Sequence, residues 1–365
     1  MDITIACDIM MNMEGSIRPA IYLAKELVRR GHNVTVMSPF LSKDVQEHLR
    51  AGKIRPLNLS GKFATKSLGS SILWFEAWAR EAFLRLNSRH ISELPVTINF
   101  SQMVSVPSAA WYLQGPTSIA LRDMEGELST RFRIAYNLVR SMIDHADERL
   151  VSDMGRCSSL IIANSAFCAS MYSKFGVKAH EVIYPPVDCG IFQPSTRNPK
   201  SDYVLTYFGK ETKFSVLRNI ADKGVKMKAF GSKIPLFISP LQRDLTRHPN
   251  IEYKGRVSME ELVELYSNAA FTLFPFNHEP FGYVLLESMA CGTPVLTCDI
   301  QGPAEYVVDE QTGWLAQSDR EMVTKAVQLW DEGYEQAMRR NCTEAASKLD
   351  KGVYLGRWMK ALNGI

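Results

Sequence analysis

The stretch Phe274 to Trp314, FPFNHEPFGYVLLESMACGTPVLTCDIQGPAEYVVDEQTGW, decides how the rest of the chain is read. An aliphatic, strand-like segment leads into it. Phe281-Gly282 makes a tight turn, and an apolar helical run follows from Tyr283. Gly292-Thr293-Pro294 ends that run, and Val295 to Cys298 reads as a second strand. A strand, a tight turn and a helix start make an anion site, because the first-turn peptide N–H groups lack intrahelical acceptors and the helix dipole adds partial positive charge. Glu279 and Glu287 flank the turn eight residues apart, so one carboxylate can grip hydroxyls while the other faces a reacting centre.

The order and spacing of these residues resemble the retaining glycosyltransferases of family 4. The shared pattern is Glu279 and Glu287 in an E-x7-E arrangement, then Cys291-Gly292-Thr293-Pro294-Val295, Glu305, and Gln311-Thr312-Gly313-Trp314-Leu315. The resemblance implies a GT-B architecture, with two doubly wound Rossmann-like α/β domains facing a cleft and ligands at the carboxyl ends of the strands. It also implies a nucleotide-diphosphate sugar as donor.

Working outward, the pattern alternates strand and helix on both sides of a proline-rich break. Ile3 to Cys7 reads as a strand, followed by a helix with Ile17, Ala20, Ile21, Ala24, Leu27 and Val28 on one face, then strand Asn33 to Met37. This strand-helix-strand unit argues for a parallel sheet. Further strands are expected near Thr97 to Phe100, Ala109 to Leu113 and Leu160 to Ala163. In Ile183 to Pro194, the prolines Pro185, Pro186 and Pro194 cannot continue a helix or central strand. Beyond it, strands are expected at Tyr203 to Phe208, Lys226 to Phe230, Ile251 to Lys254, Ala270 to Pro275 and Pro294 to Cys298, with helices over 319–331, 335–348 and 353–362. Ser258 and Glu261 form a capping box. The expected domains are 1–184, a linker at 185–199, 200–348 and a last segment at 349–365; the resemblance implies that the first holds the acceptor, that the second holds the donor, and that the last helix crosses back to the first.

Composition narrows the classes. With 365 residues, 46% hydrophobic and 22% charged content, and a net charge of +3, the chain reads as a soluble two-domain protein and not as a nucleic-acid binder. It has no apolar run of about 18–20 residues to span a bilayer and no signal-peptide pattern. Seven cysteines without Cys-x-x-Cys spacing suit buried reduced thiols in the cytoplasm. There is no Asp-x-Asp and no histidine cluster, so no metal and no cofactor is expected.

The resemblance assigns roles residue by residue. Backbone groups of Gly282, Tyr283 and Val284, after Phe281, would receive the diphosphate. Glu287 would accept ribose hydroxyls, and Glu279 would contact the transferred sugar as the catalytic carboxylate. The family places Gly-Arg after the first strand of the second domain, then Lys about five residues on. Here Phe208-Gly209-Lys210-Glu211-Thr212-Lys213 puts Lys210 at the Arg position, without the bidentate fork of arginine, and Lys213 closer than usual. Gly255-Arg256-Val257 is similar to the nucleobase loop, with Arg256 and Val257 as donor contacts. In Met13-Glu14-Gly15-Ser16-Ile17-Arg18 one glycine, Gly15, remains of a glycine-rich loop; it is not the Gly-x-Gly-x-x-Gly of a dehydrogenase. Gln114 stands where many relatives carry a histidine, and it can hydrogen-bond a sugar but not act as a base.

The expected reaction is retaining hexosyl transfer to a glycan or lipid-linked acceptor, with the leaving phosphate helping to deprotonate the acceptor. A non-catalytic sugar-nucleotide-binding scaffold and an epimerase are the rival readings. Ser71 to Leu86, rich in Trp and Phe with Arg80 and Arg85, has two open readings. It is a domain helix packed on the sheet, or an interfacial helix making peripheral contact with the inner face of the membrane.

Overall fold

The computed structural model describes residues 1–13, 15–59, 63–66, 69–89, 91, 95–196, 198–232 and 240–362. Glu14 of the Gly15 loop and the last three residues of the expected C-terminal segment fall outside them. The first half of the chain runs β1 (Asp2–Ala6), α1 (Arg18–Arg29), β2 (Asn33–Ser38), α2 (Lys43–Ala51), β3 (Arg55–Asn58), α3 (Ser70–Leu84), β4 (Val96–Asn99), β5 (Ser108–Leu113), α4 (Thr117–Asp123), α5 (Thr130–Arg156), β6 (Ser158–Ala163), α6 (Ala166–Ser173) and β7 (Glu181–Val182). The second half runs β8 (Val204–Phe208), α7 (Phe214–Ala221), β9 (Met227–Gly231), α8 (Pro240–Leu245), β10 (Ile251–Gly255), α9 (Met259–Asn268), β11 (Thr272–Phe274), α10 (Tyr283–Ala290), β12 (Val295–Cys298), β13 (Gly313–Ala316), α11 (Asp319–Glu332) and α12 (Ala337–Ser347), before α13 (Lys351–Leu362).

The strands form two sheets, β3-β2-β1-β4-β5-β6-β7 and β10-β9-β8-β11-β12-β13. Every strand pairing in them is parallel. Parallel strands need helical crossovers that cover the faces, and the central strands β1, β4, β8 and β11 are accordingly buried along most of their length. Each sheet is doubly wound. In the first, strand order reverses between β1 and β4; in the second, between β8 and β11. At such a reversal the loops leaving adjacent strands diverge and open a crevice at the carboxyl edge.

Two compact units result. One comprises Met1–Ala120, Asn137–Pro185 and Tyr354–Ile365; the other comprises Leu121–Tyr136 and Pro186–Val353. The boundary at Pro185/Pro186 falls in the proline-rich break. The chain also crosses at two further places: Leu121–Tyr136, from the first half of the sequence, counts with the second unit, and α13 from Tyr354 onward counts with the first. In the first unit Tyr354 and Trp358 join the core. Trp358 packs 5.2 Å from the Phe100 ring and 5.7 Å from Tyr112, and the Tyr354 hydroxyl donates to the Pro19 carbonyl at 3.0 Å.

Local signals act as their chemistry requires. Ser258 Oγ accepts from Glu261 N at 3.1 Å and caps α9. The core face of α1 buries Ala20, Ile21, Ala24 and Leu27. None of the seven cysteines is in a disulfide; five are buried, Cys189 is half-buried and Cys157 is exposed.

Candidate functional site

In the second unit the β8/β11 crevice is bounded by the loop Gly209–Lys213 on one side and Pro275–Gly282 on the other. The two loops are stitched by backbone. Lys213 N donates to Pro275 O at 2.9 Å, Asn277 N donates to Glu211 O at 2.8 Å, and Thr212 and Phe276 form an antiparallel bridge. Gly282 caps α10 at φ +100°, a conformation suited to glycine, and the Tyr306 hydroxyl donates to its carbonyl at 2.7 Å. Buried Phe281 packs against the rings of Tyr283 at 5.5 Å and Tyr306 at 5.2 Å, which fixes the direction in which the helix starts.

Glu279 stands at this helix mouth, half-buried. Its own N–H donates to Gln301 Oε1 at 2.6 Å, and its Oε1 accepts from Phe281 N at 3.3 Å. Burial first, and Glu211 second, push its carboxyl up to about 8, while the peptide N–H groups of Phe281 and Gly282 and the charge of Lys210 pull the other way. Glu279 thus holds its proton more tightly than an ordinary carboxyl at the entrance of an anion site. Glu287 lies deeper in α10, 4% exposed, with its Oε2 accepting from the Tyr266 hydroxyl at 3.1 Å.

The two lysines differ. Lys210 is exposed beside Glu279. Lys213 is drawn into an ion pair with Asp319 at 2.8 Å, so its charge is already matched by a carboxylate at the start of α11. Arg256 and half-buried Val257 follow β10 at the same carboxyl edge, and Arg256 Nε donates to Ser232 Oγ at 3.0 Å. The structure therefore brings Lys210, Lys213, Glu279, Phe281, Gly282, Tyr283, Val284 and Glu287 around one turn-and-helix start, with Arg256 and Val257 two strands along the sheet edge.

Gly15 and Gln114 belong to the other unit. Gly15 opens a 3-10 turn at φ +70° that leads into α1. Gln114, after β5, has its amide nitrogen held by the Phe100 carbonyl at 2.6 Å. At the β1/β4 reversal, buried Asp8 accepts from Ser101 Oγ at 2.7 Å and Gln102 N at 2.8 Å, a polar centre that the sequence reading did not single out.

Other residues were also missed. Asp123 and Glu127 come from Leu121–Tyr136. The Asp123 carboxylate lies 2.8 Å from His278 Nδ1, beside Glu279. Burial raises the Glu127 carboxyl, with the Asn277 side chain, the Phe214 N–H and Lys213 acting in the opposite direction. Nothing local to those residues marks them. Gln301 and Tyr306 lay inside the quoted stretch, and their distance from the turn hid their part in holding it.

Of the two readings of Ser71 to Leu86, the structure shows the packed domain helix. In α3, Leu73, Ala77, Trp78 and Ala82 are buried, and Trp78 Nε1 donates to Asp147 at 3.1 Å. Arg85 pairs with Asp153. Ile72, Trp74, Phe75 and Leu86 are half-buried, and Phe83 and Leu84 at the helix end are exposed. Among the described residues no helix is long and apolar enough to cross a membrane, and no group of three or more His, Cys, Asp or Glu is placed to hold a metal ion.

Comparison with known proteins agrees with this geometry. The model described as "Glycosyltransferase Family 4" matches residues 15–190, and "Glycosyl transferases group 1" matches residues 241–349. A D-inositol 3-phosphate glycosyltransferase of Mycobacteroides abscessus is 23% identical over 200 residues, 50% of this chain and 43% of that one. The chain thus spans less than half the length of that curated relative. Among solved structures, Anabaena HepE in complex with UDP aligns over 100% of both chains at 17% identity and a TM-score of 0.72. Sucrose-phosphate synthase of Thermosynechococcus elongatus aligns over 100% of this chain and 98% of its own at 16% identity and a TM-score of 0.74. These structures share the fold: two Rossmann-like parallel-sheet units of the GT-B class.

Proposed function

Because the chain belongs to glycosyltransferase family 4, we propose that it moves a hexosyl group, with retention, from a nucleotide-diphosphate sugar to a glycan or lipid-linked acceptor. The observation that carries this reading is the α10 mouth, where a positive-φ glycine, a helix start, Glu279 and the exposed Lys210 meet at the topological reversal of one sheet. Peptide N–H groups and Lys210 neutralise the departing diphosphate without a metal ion. The acceptor hydroxyl attacks the anomeric carbon on the face the phosphate leaves. As the carbon–oxygen bond to phosphate breaks, the acceptor proton passes to the leaving phosphate oxygen. Glu279 contacts the transferred sugar. Glu287 takes the ribose, and Arg256 and Val257 face the base. HepE, solved with UDP-glucose, supports a uridine diphosphate donor. Seven cysteines outside any disulfide support a reducing, cytoplasmic setting.

The phosphate role of Lys210 is tested by calorimetry in buffer containing EDTA. Lys210→Ala is expected to weaken UDP binding about tenfold and to leave uridine binding unchanged, because an ion-assisted contact to phosphate is lost while the nucleoside contacts remain. Equal losses for both ligands would remove Lys210 from the phosphate site, and loss of UDP binding by the wild type in EDTA would refute metal independence.

For a peripheral membrane contact, α5 exposes more apolar side chains than α3, which exposes Phe83 and Leu84. The first half of α5 exposes Phe132 at 42%, Ile134 at 58%, Leu138 at 82%, Val139 at 39% and Met142 at 55%. Arg131, Arg133 and Arg140 are interleaved, with no acidic residue from Thr130 to Ile143. An apolar face with interleaved cations suits the headgroup region of an anionic bilayer. Phosphatidylglycerol vesicles are expected to pellet the wild type, and Leu138→Glu with Met142→Glu to stay in the supernatant. Equal pelleting of both proteins, or none of the wild type, would refute the contact.

A further inference from the structure

Tyr266, in the last turn of α9, is fully buried and held at both ends. At its backbone, Thr293 Oγ1 donates to the Tyr266 carbonyl at 2.6 Å. The same Thr293 oxygen accepts from Arg339 of α12 at 2.7 Å. Arg339 also donates to the carbonyls of Ser267 at 2.6 Å and Ala269 at 3.1 Å. The planar guanidinium fork thus clamps the end of α9 to the turn that follows α10. At its ring, Tyr266 meets Phe230 at 5.8 Å and Phe192 at 6.4 Å, both edge to face. A phenol oxygen lies on the axis of its ring, so fixing the ring fixes the oxygen. That hydroxyl donates to Glu287 Oε2 at 3.1 Å.

Glu287 sits in the second turn of α10, 4% exposed. A glutamate side chain has three torsions, and ordering them opposes folding. Burial disfavours rotamers in which its oxygens lack donors, so a donor at a fixed point selects those that reach it. We infer that Tyr266 is a positioning residue for ribose selection: its hydroxyl holds the Glu287 carboxyl in the rotamer that takes the donor's ribose hydroxyls. This rests on the reading of Glu287 as the ribose contact. The brace runs from Arg339 through Thr293 and the Tyr266 backbone to the phenol, so α12 fixes a carboxyl on α10 that its own side chains do not carry. Selectivity for ribose then depends on a hydroxyl 21 residues away in the chain.

The test is calorimetry with UDP against 2′,3′-dideoxy-UDP, or with the matching GDP or ADP pair if the wild type binds that base instead. The wild type should bind the ribose ligand about tenfold or more tighter than the dideoxy ligand, because contacts to two hydroxyls are lost together. Tyr266→Phe should bind the ribose ligand about fivefold more weakly and the dideoxy ligand within about twofold of the wild type. Binding of the dideoxy ligand also reports a folded variant. Glu287→Gln should show at least the same ribose-dependent loss. Adding Tyr266→Phe to Glu287→Gln should lose nothing more, because the phenol acts through that carboxyl. Thr293→Val loosens the same tyrosine from its backbone end and stands in if Tyr266→Phe does not fold. Its loss should be about threefold and confined to the ribose ligand.

Equal losses of both ligands in Tyr266→Phe, or additive losses in the double variant, would refute the positioning role. So would an unchanged ribose-ligand affinity in Tyr266→Phe, or in Thr293→Val where it stands in, beside a ribose-dependent loss in Glu287→Gln. A wild type that binds ribose and dideoxy ligands equally, or a Glu287→Gln protein that binds both as the wild type does, would instead overturn the ribose reading of Glu287. A wild type that binds none of UDP, GDP or ADP would bring down the transferase reading, and this inference with it.

Discussion

Replacing Glu279 by alanine is expected to lower the rate of sugar transfer by about a thousandfold or more while UDP affinity stays within about threefold. The carboxyl at the α10 mouth also touches the turn, accepting from Phe281 N at 3.3 Å. Removing it deletes the group facing the transferred sugar. It frees the turn's peptide N–H groups for phosphate, so ground-state binding of the nucleotide is not harmed. A loss confined to turnover is the mark of an interaction realised in the transition state. Equal losses in turnover and UDP affinity would show that Glu279 only builds the pocket. A wild type that binds UDP yet neither hydrolyses nor transfers any sugar across a broad donor panel would favour a scaffold subunit. Conversion of free donor without acceptor would point to an epimerase.

The second large effect concerns backbone. Gly302→Ala is expected to destabilise the protein by about 2–4 kcal/mol and to abolish UDP binding. A Cβ on Gly302 would sit 2.0 Å from the Pro280 carbonyl oxygen, 2.4 Å from its carbon and 2.6 Å from Phe281 Cα. All three are main-chain atoms, so no rotamer relieves the clash. Gly302 N also donates to the Glu279 carbonyl at 3.2 Å, which makes the two segments a unit. The substitution must push the turn away from the segment that holds it, and the α10 mouth moves with the turn. Thermal melts should show a fall of several degrees or more. Gly356→Ala is the control: it lies within α13, nothing stands within 4 Å of the added methyl, and helix propensity favours alanine. A melt of Gly302→Ala that overlays the wild type would refute the close approach.

Much of the architecture is legible because its signals are local. The apolar face of α1, the Ser258 cap and the break at Pro185 and Pro186 each act within a few residues, and each marks an element end or boundary in the structure. Other elements left no such mark. β3 has no buried residue, and β7 is two residues long, so neither carries a strand pattern strong enough to read. Ser71 to Leu86 shows the limit from the other side. Trp and Phe beside arginines describe an interfacial helix and a packed domain helix equally well, and only burial of Leu73, Ala77 and Trp78 separates them.

From its order of residues alone, the chain determined that two parallel sheets alternate with helices, and that a glycine turn opens α10 between two glutamates; periodicity, turn chemistry and spacing are properties of neighbouring residues. Tertiary structure alone decided which groups those glutamates meet. It laid β8 beside β11, and so set Glu211 against the Glu279 loop, matched Lys213 to Asp319, and brought Asp123 from another part of the chain to His278. Strand order follows from how all the crossover helices bury their apolar faces together, and no short window of sequence contains that sum.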